Sequence, residues 1–171
     1  RDQPRSRGLG DVYKRQYELL EDSDTKPKEI KWLLCATETS KGCGWNTAWE
    51  IKGYLQAEYG IDLSHSIALQ TQAACAPVLA SLELLISRHE ATGEKGIVVA
   101  FDESSYSNPK GKATEGVGAC AMLVGEPNVL RSAGNLVEDS AFSPDWWRPW
   151  VRKNDPLYEG KVTKAVYMSR T

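Results

Sequence analysis

A single cysteine, Cys75, stands where a short strand-like run over residues 66–72 meets a long apolar helix-like run over residues 76–91. The N-terminus of a helix concentrates unpaired N–H groups and the positive end of the macrodipole, equivalent to about half a charge. A thiol there has its thiolate stabilised, and the thiolate is the nucleophile. Ala73, Ala74 and Ala76 leave room for a substrate to reach the sulfur. The same surroundings suit a cysteine packed as a small hydrophobe, so position alone leaves Cys75 open between nucleophile and packing. Strand-to-helix turns that project a nucleophile recur among enzymes, although the G-x-S-x-G form is not present here.

Three further groups could join it. Glu38, in "ATET", ends the apolar run over residues 30–37. A carboxylate beside such a run is partly desolvated, which suits proton transfer near neutrality. A solvated glutamate at a loop edge is the competing reading, and the residues alone favour it. Asp102 and Tyr106, in "FDESSY", follow the apolar run over residues 96–101. Their plain reading is a strand-to-loop turn in which Asp caps a backbone N–H. Of the other cysteines, Cys35 and Cys120 lie within strand-like runs and Cys43 lies among glycines, so none of the three is assigned chemistry. Four cysteines without C-x-x-C spacing and two histidines give no zinc signature, and no metal site is expected.

These residues need a scaffold. At 171 residues the chain is long enough for one domain with a real core. A net charge of -2 points to neither nucleic acid nor an anionic membrane surface. No stretch approaches the roughly 18 apolar residues of a membrane span, and there is no secretory signal. The widely spread cysteines read as those of a reduced, cytoplasmic protein.

Residues 1–16, "RDQPRSRGLGDVYKRQ", are basic and weakly periodic. They read as adaptor-derived or as a disordered arm and are set apart from the fold over residues 17–171. Beyond them come a short helix over residues 17–24, a buried strand over 30–37, a helix over 44–60 with Gly60 as its cap and a strand over 66–72. A helix over 76–91 follows, its Pro77 tolerated in the first turn. Then come strands at 96–101, 117–125 and 128–133, with a Ser/Gly/Lys-rich loop before the second of these. Alternating strands and helices predict an α/β fold. The apolar face of the 44–60 helix is expected to carry Trp45, Ala48, Trp49, Tyr54 and Leu55. Leu79, Leu82, Leu84, Leu85 and Ile86 spread around most of the next helix, which predicts burial nearly all round. A central helix layer between two sheets would supply such burial.

The ordered set "ATET", "AACAPVLASLELL", "VVAFDESSY", "ATEGVGACAMLVGE", "DWWRPW" and "DPLYEGKVTKAVY" resembles the hydroxymethylglutaryl-CoA synthase family of the thiolase-like superfamily. It covers roughly residues 17–171. The resemblance implies a partial thiolase-like αβαβα fold, about the middle of its first half, with the helix after Cys75 in the central layer. It implies that Cys75 forms an acetyl thioester from acetyl-CoA and that Glu38 is the general acid/base. The resulting enolate would attack acetoacetyl-CoA, and water would release the product. Asp102 and Tyr106 match residues that line or support the substrate site. Glu159 matches a further one but stands where the family usually has Asp, and Ala76 stands where many members have Tyr.

The same resemblance implies no cofactor beyond the CoA thioester substrates, a homodimer as the full-length protein and a possible thiolase partner. Alternatives are a ketoacyl-carrier-protein synthase III-like enzyme and a non-catalytic scaffold. The family's histidine lies downstream of the aromatic segment, and His65 and His89 do not match it, so this chain is expected to be a fragment, inactive alone. Trp146, Trp147 and Trp150 are read as core or interface before ligand stacking. Lys110 and Lys112 are read as solvated rather than as phosphate contacts, there being no P-loop pattern.

Overall fold

The computed structural model describes residues 9–40, 44–73, 75–106, 109, 112, 115–126, 130, 146–147 and 157–170. Cys43, Lys110, Trp150 and most of the strand expected over 128–133 lie outside them. The chain divides into two units, Arg1–Glu103 with Val117–Ala133, and Ser104–Gly116 with Gly134–Thr171.

The first unit is built on a sheet of β1 (Ile30–Ala36), β2 (Ile67–Thr71), β3 (Lys95–Ser104) and β4 (Gly116–Val124), in the order β2-β1-β3-β4. β1 runs parallel to both neighbours, with Ala36 opposite Thr71 on one side and Ala100 on the other. Leu33, Leu34, Cys35 and Ala36 are all buried, as an unbroken apolar run in a parallel strand requires when both faces are covered. The faces follow the two-residue alternation of a strand. Leu33 and Cys35 pack with Ala48, Ile51 and Leu55 of α2 (Thr47–Tyr59) and with Leu20 of α1 (Leu9–Asp22). Leu34 packs on the other face with Val98 and with Leu85 of α3 (Pro77–Thr92).

α2 begins where Asn46 accepts the Ala48 amide at 2.9 Å. It ends at Gly60, whose φ of +67° places it in the left-handed region that glycine enters without steric cost. Its buried face is Thr47, Ala48, Ile51 and Leu55, while Trp45 and Trp49 are exposed. That corrects the expected face: the tryptophans lie off the Ala48–Ile51–Leu55 stripe that meets the sheet.

α3 turns Pro77, Ser81 and Leu85 inward, a spacing of one helical turn. Leu79 and Leu84 of the same helix are exposed in this chain, so burial here covers one face of an apolar cylinder. α3 comes close to the sheet because β3 offers Gly96 beneath it. A Cβ there would lie 2.8 Å from Leu85 Cδ1 and 3.0 Å from Trp32 Cβ.

α1 starts at Leu9, so part of the segment set apart as residues 1–16 has helical backbone. The Tyr17 ring stacks on Tyr59 with centroids 4.3 Å apart, and Leu20 joins the core. A helix anchored this way extends backwards more cheaply than a new one nucleates.

The second unit contains a two-stranded ribbon, β5 (Trp146–Trp147) antiparallel to β6 (Leu157–Tyr158), and α4 (Gly160–Arg170). Trp146 pairs with Tyr158 and Trp147 with Leu157, so the aromatic segment, read without secondary structure, is in part a strand. No helix among the described residues is long and apolar enough to cross a membrane.

Candidate active site at the carboxyl edge of the sheet

The connection leaving β1 leads to α2 on one face, and the connection leaving β2 leads to α3 on the other. Adjacent parallel strands whose connections part in this way open a crevice beyond their carboxyl ends, the usual ligand position in parallel α/β sheets. Glu38 lies just past the end of β1, and Cys75 just past the end of β2. The two strand ends are joined by the Thr37 amide, which donates to the Thr71 carbonyl at 3.2 Å. Neighbouring strands lie about 4.8 Å apart, so the two loops leave the sheet side by side at one edge.

Asp102 organises the Glu38 loop. β3 continues through Asp102 to Ser104, beyond the run ending at residue 101 that its apolar residues mark, and so carries the carboxylate to the same edge. Asp102 Oδ1 accepts from the Glu38 amide at 2.7 Å, the Thr39 amide at 3.0 Å, Thr39 Oγ1 at 3.0 Å and Thr37 Oγ1 at 3.1 Å. Thr39 Oγ1 in turn accepts the Glu103 amide at 2.9 Å. Hydrogen bonds to a carboxylate are charge-assisted and shorter than neutral ones. The capping anticipated for Asp102 therefore exists, but across strands rather than within its own turn.

Cys75 is exposed, as are Ala73 and Ala76 on either side. The turn carrying it is closed by the Ala76 amide donating to the Ala73 carbonyl at 3.1 Å. Ala76 is the N-cap of α3, has no side chain able to cap it and is followed by Pro77, and the first turn holds no acidic residue. The positive end of that helix is thus neither capped nor neutralised locally.

The remaining thiols differ. Cys35 is fully buried beneath the same edge, and burial, reinforced by the negative charge of Asp102, pushes its thiol up to about 12. It stays protonated and inert. Cys120 is exposed on β4.

Tyr106 and Glu159 belong to the second unit. The Tyr106 amide donates to Glu115 Oε1 at 2.8 Å. Glu159 sits at the start of α4: its carbonyl accepts the Val162 and Thr163 amides at 3.0 and 3.1 Å, and its Oε1 accepts the Lys161 amide at 3.4 Å. The carboxylate is engaged in a helix cap, for which Asp has the better side-chain length. His65 is exposed; His89 meets the Glu94 carbonyl through Nδ1 at 3.1 Å and Glu126 through Nε2 at 3.7 Å. Among the described residues no three His, Cys, Asp or Glu side chains cluster to hold a metal. A shallow groove lined by Lys28, Glu29, Lys31 and Lys95 lies at the opposite edge, by the amino ends of β1 and β3.

Thr37, Thr39, Thr71 and Ser81 bear on the site and are not singled out by sequence reasoning. Their signal is local: two threonines flank Glu38, and a lone serine interrupts the buried face of α3.

No family model matches the chain. Its fold is that of the thiolase-like enzymes, in part. The HMG synthase of the curacin biosynthetic pathway superposes with a TM-score of 0.74 at 18% identity, over 97% of this chain and 40% of that one. The priming β-ketosynthase of the R1128 polyketide pathway gives 0.58 at 21% identity, over 69% of this chain and 35% of that one.

In sequence the chain is similar to hydroxymethylglutaryl-CoA synthases. It is 27% identical over 157 residues to the enzyme of Haloferax volcanii, covering 89% of this chain and 35% of that protein. It is 26% identical over 156 residues to the enzyme of Ganoderma lucidum, covering 88% and 32%. The structure of MvaS in complex with 3-hydroxy-3-methylglutaryl coenzyme A matches with a TM-score of 0.71 at 26% identity, over 92% of this chain and 38% of that one. The chain therefore spans about a third of the length of the curated relatives it matches.

Proposed function

We propose that the protein containing this chain condenses acyl-CoA thioesters in the manner of a hydroxymethylglutaryl-CoA synthase. The observation that supports the reading is that Glu38 and Cys75 lie in the loops that follow the carboxyl ends of two neighbouring parallel strands, with Asp102 bonded to the Glu38 amide.

In this reading Cys75 Sγ attacks the acetyl carbon of acetyl-CoA, and CoA leaves as its thiol. Glu38 takes a proton from the methyl of the bound acetyl group. The resulting enolate carbon bonds to the ketone carbon of acetoacetyl-CoA, whose oxygen becomes a hydroxyl as it takes up a proton. Water then cleaves the Cys75 thioester, restoring the thiol and freeing the product as a carboxylate. Each step exchanges one difficult bond change for an easier one, and the enolate depends on a base held in place. Tyr106 and Glu159 are proposed to support the substrate side, with Glu159 acting through the start of α4. The substrates are CoA thioesters, and no other cofactor enters the scheme. The wider setting proposed is a cytoplasmic homodimer in the mevalonate route to isoprenoids, with a thiolase as the supplier of acetoacetyl-CoA.

The test uses the gene product that contains this chain. After incubation with acetyl-CoA, peptide mass spectrometry should find the acetyl group on Cys75 and none in Cys75→Ala. Glu38→Ala should still accept acetyl yet form no new carbon–carbon bond. Normal condensation by Glu38→Ala would remove Glu38 from the scheme.

A further inference from the structure

The hydroxyls of Thr71 and Ser81 meet between the strand that precedes Cys75 and the helix that follows it. Thr71 is the last residue of β2, and its Oγ1 lies 3.1 Å from Ser81 Oγ. The same Thr71 Oγ1 also reaches the Cys35 carbonyl at 3.4 Å. Ser81 is 1% exposed and shares its inward face with Pro77 and Leu85. Its neighbours on that face are apolar. A buried hydroxyl is unfavourable unless bonded, so the serine is tolerated there through its bond to Thr71.

Among the described residues of the turn, no side chain is seen to make a hydrogen bond that ties it to the fold. Ala73, Ala76 and Pro77 carry no polar side chain, and the N-cap of α3 makes no side-chain bond. Among the described residues, Ser81 supplies the one side-chain hydrogen bond made by the first two turns of α3. Thr71 also serves the other half of the site, because its carbonyl accepts the Thr37 amide at 3.2 Å. Thr37 Oγ1 in turn donates to Asp102 at 3.1 Å. An unbroken path thus runs from Asp102 through Thr37 and Thr71 to Ser81, touching both functional loops.

We infer that Thr71 and Ser81 are positioning residues that hold the Cys75 turn at a fixed offset from the Glu38 loop. Neither touches substrate; they act through the backbone of residues 72–80. The inference rests on the proposed acyl transfer to Cys75. A thiol that drifts by about 1 Å from its attack position loses roughly 100-fold in rate, whereas weaker restraint loses part of that.

The experiment compares Ser81→Ala, Thr71→Val and the hydroxyl-retaining Ser81→Thr and Thr71→Ser in the gene product that contains this chain. Valine keeps the shape of threonine, so Thr71→Val tests the hydroxyl even where Ser81→Ala perturbs packing. Acetyl transfer from acetyl-CoA to Cys75 is followed by mass spectrometry, with hydrogen exchange at the amides of Ala76 and residues 78–80. The hydroxyl-deleted variants should lower the maximal rate about tenfold while KM for acetyl-CoA stays within about twofold, and the retaining variants should restore it. Exchange at Ala76 and residues 78–80 should quicken in the deleted variants. Acetylated wild type with an unchanged rate in both deleted variants overturns the inference alone. So does a loss of rate that only tracks the folded fraction and is not restored by hydroxyl. Wild-type protein that takes no acetyl on Cys75 overturns the proposed function and this inference with it.

Discussion

The Asp102 carboxylate holds the Glu38 amide at 2.7 Å and the Thr39 amide at 3.0 Å through one oxygen. A residue on β3 thereby sets the backbone of a loop that belongs to β1. Removing the acceptor takes away the shared partner of two amides and two threonine hydroxyls and leaves the loop the weaker contacts between Thr37 and Thr39.

Asp102→Ala should therefore separate the two halves of the reaction. Bonds to a charged acceptor contribute about 1.5–3 kcal/mol, and a misplaced base costs roughly 100-fold in rate. Formation of the condensed product should fall by roughly that factor, whereas acetylation of Cys75 should change by less than about threefold. Separate assays of acetyl incorporation and product formation decide the matter. Equal losses in both would show that Asp102 does not act through Glu38.

Gly96 sets how closely α3 approaches the sheet. A methyl there would sit 2.8 Å from Leu85 Cδ1, inside any permitted contact. Gly96→Ala should destabilise the fold by about 1–3 kcal/mol, read as a lower denaturant midpoint at unchanged slope. Gly96→Ala combined with Leu85→Ala should destabilise less than the sum of the single changes, because the new methyl then has space.

Gln16 is fully buried in α1, and neither Nε2 nor Oε1 has a partner among the described residues. An unpaired buried amide costs about 1–3 kcal/mol, so Gln16→Met, of similar length, should raise stability by that order. Thermal unfolding of the pair provides the check. A lower melting temperature in the methionine variant would mean that the amide is satisfied in solution.

Cys35 makes the fold sensitive to alkali. Its folded value of about 12 lies above the ordinary thiol value of 9.0, chiefly through burial and then through the charge of Asp102. Above 9.0 the unfolded chain sheds the proton while the native state keeps it. The stabilising contribution is thus complete below 9.0 and is lost as the pH rises towards 12. Cys35→Val should flatten this alkaline decline in denaturant-melt stability. An identical decline in both proteins would assign it to other groups.

Much of the fold can be read from pattern. The apolar runs at β1 and β3 mark buried parallel strands, and Gly60 marks the end of α2 by its left-handed backbone. The face of α2 could not be read correctly, because tryptophan counts as apolar wherever it lies and only the sheet's position decides which stripe is covered. Likewise Leu79 and Leu84 are as apolar as Leu85, yet within this chain only Leu85 finds a covering surface. Glu38 and Cys75 are visible as reactive types at strand ends. What brings them onto one edge is the register of β1 against β2, a long-range property that local spacing does not contain. Thr71 and Ser81 escape notice for the same reason: hydroxyls ten positions apart meet only after a strand and a helix have docked.

The strand directions also separate chemistry from change in length. The stretch linking α2 to β2 crosses the sheet edge remote from Glu38 and Cys75, since β1 and β2 point the same way. There the Gly60 cap and the Asp62–Ser64 turn close their own hydrogen bonds. Residues added or removed around 58–64 would be absorbed at that remote pole, leaving the reacting groups undisturbed. Related chains can therefore differ in spacing between their carboxylate and their thiol without any retuning of the distance across which the two must cooperate.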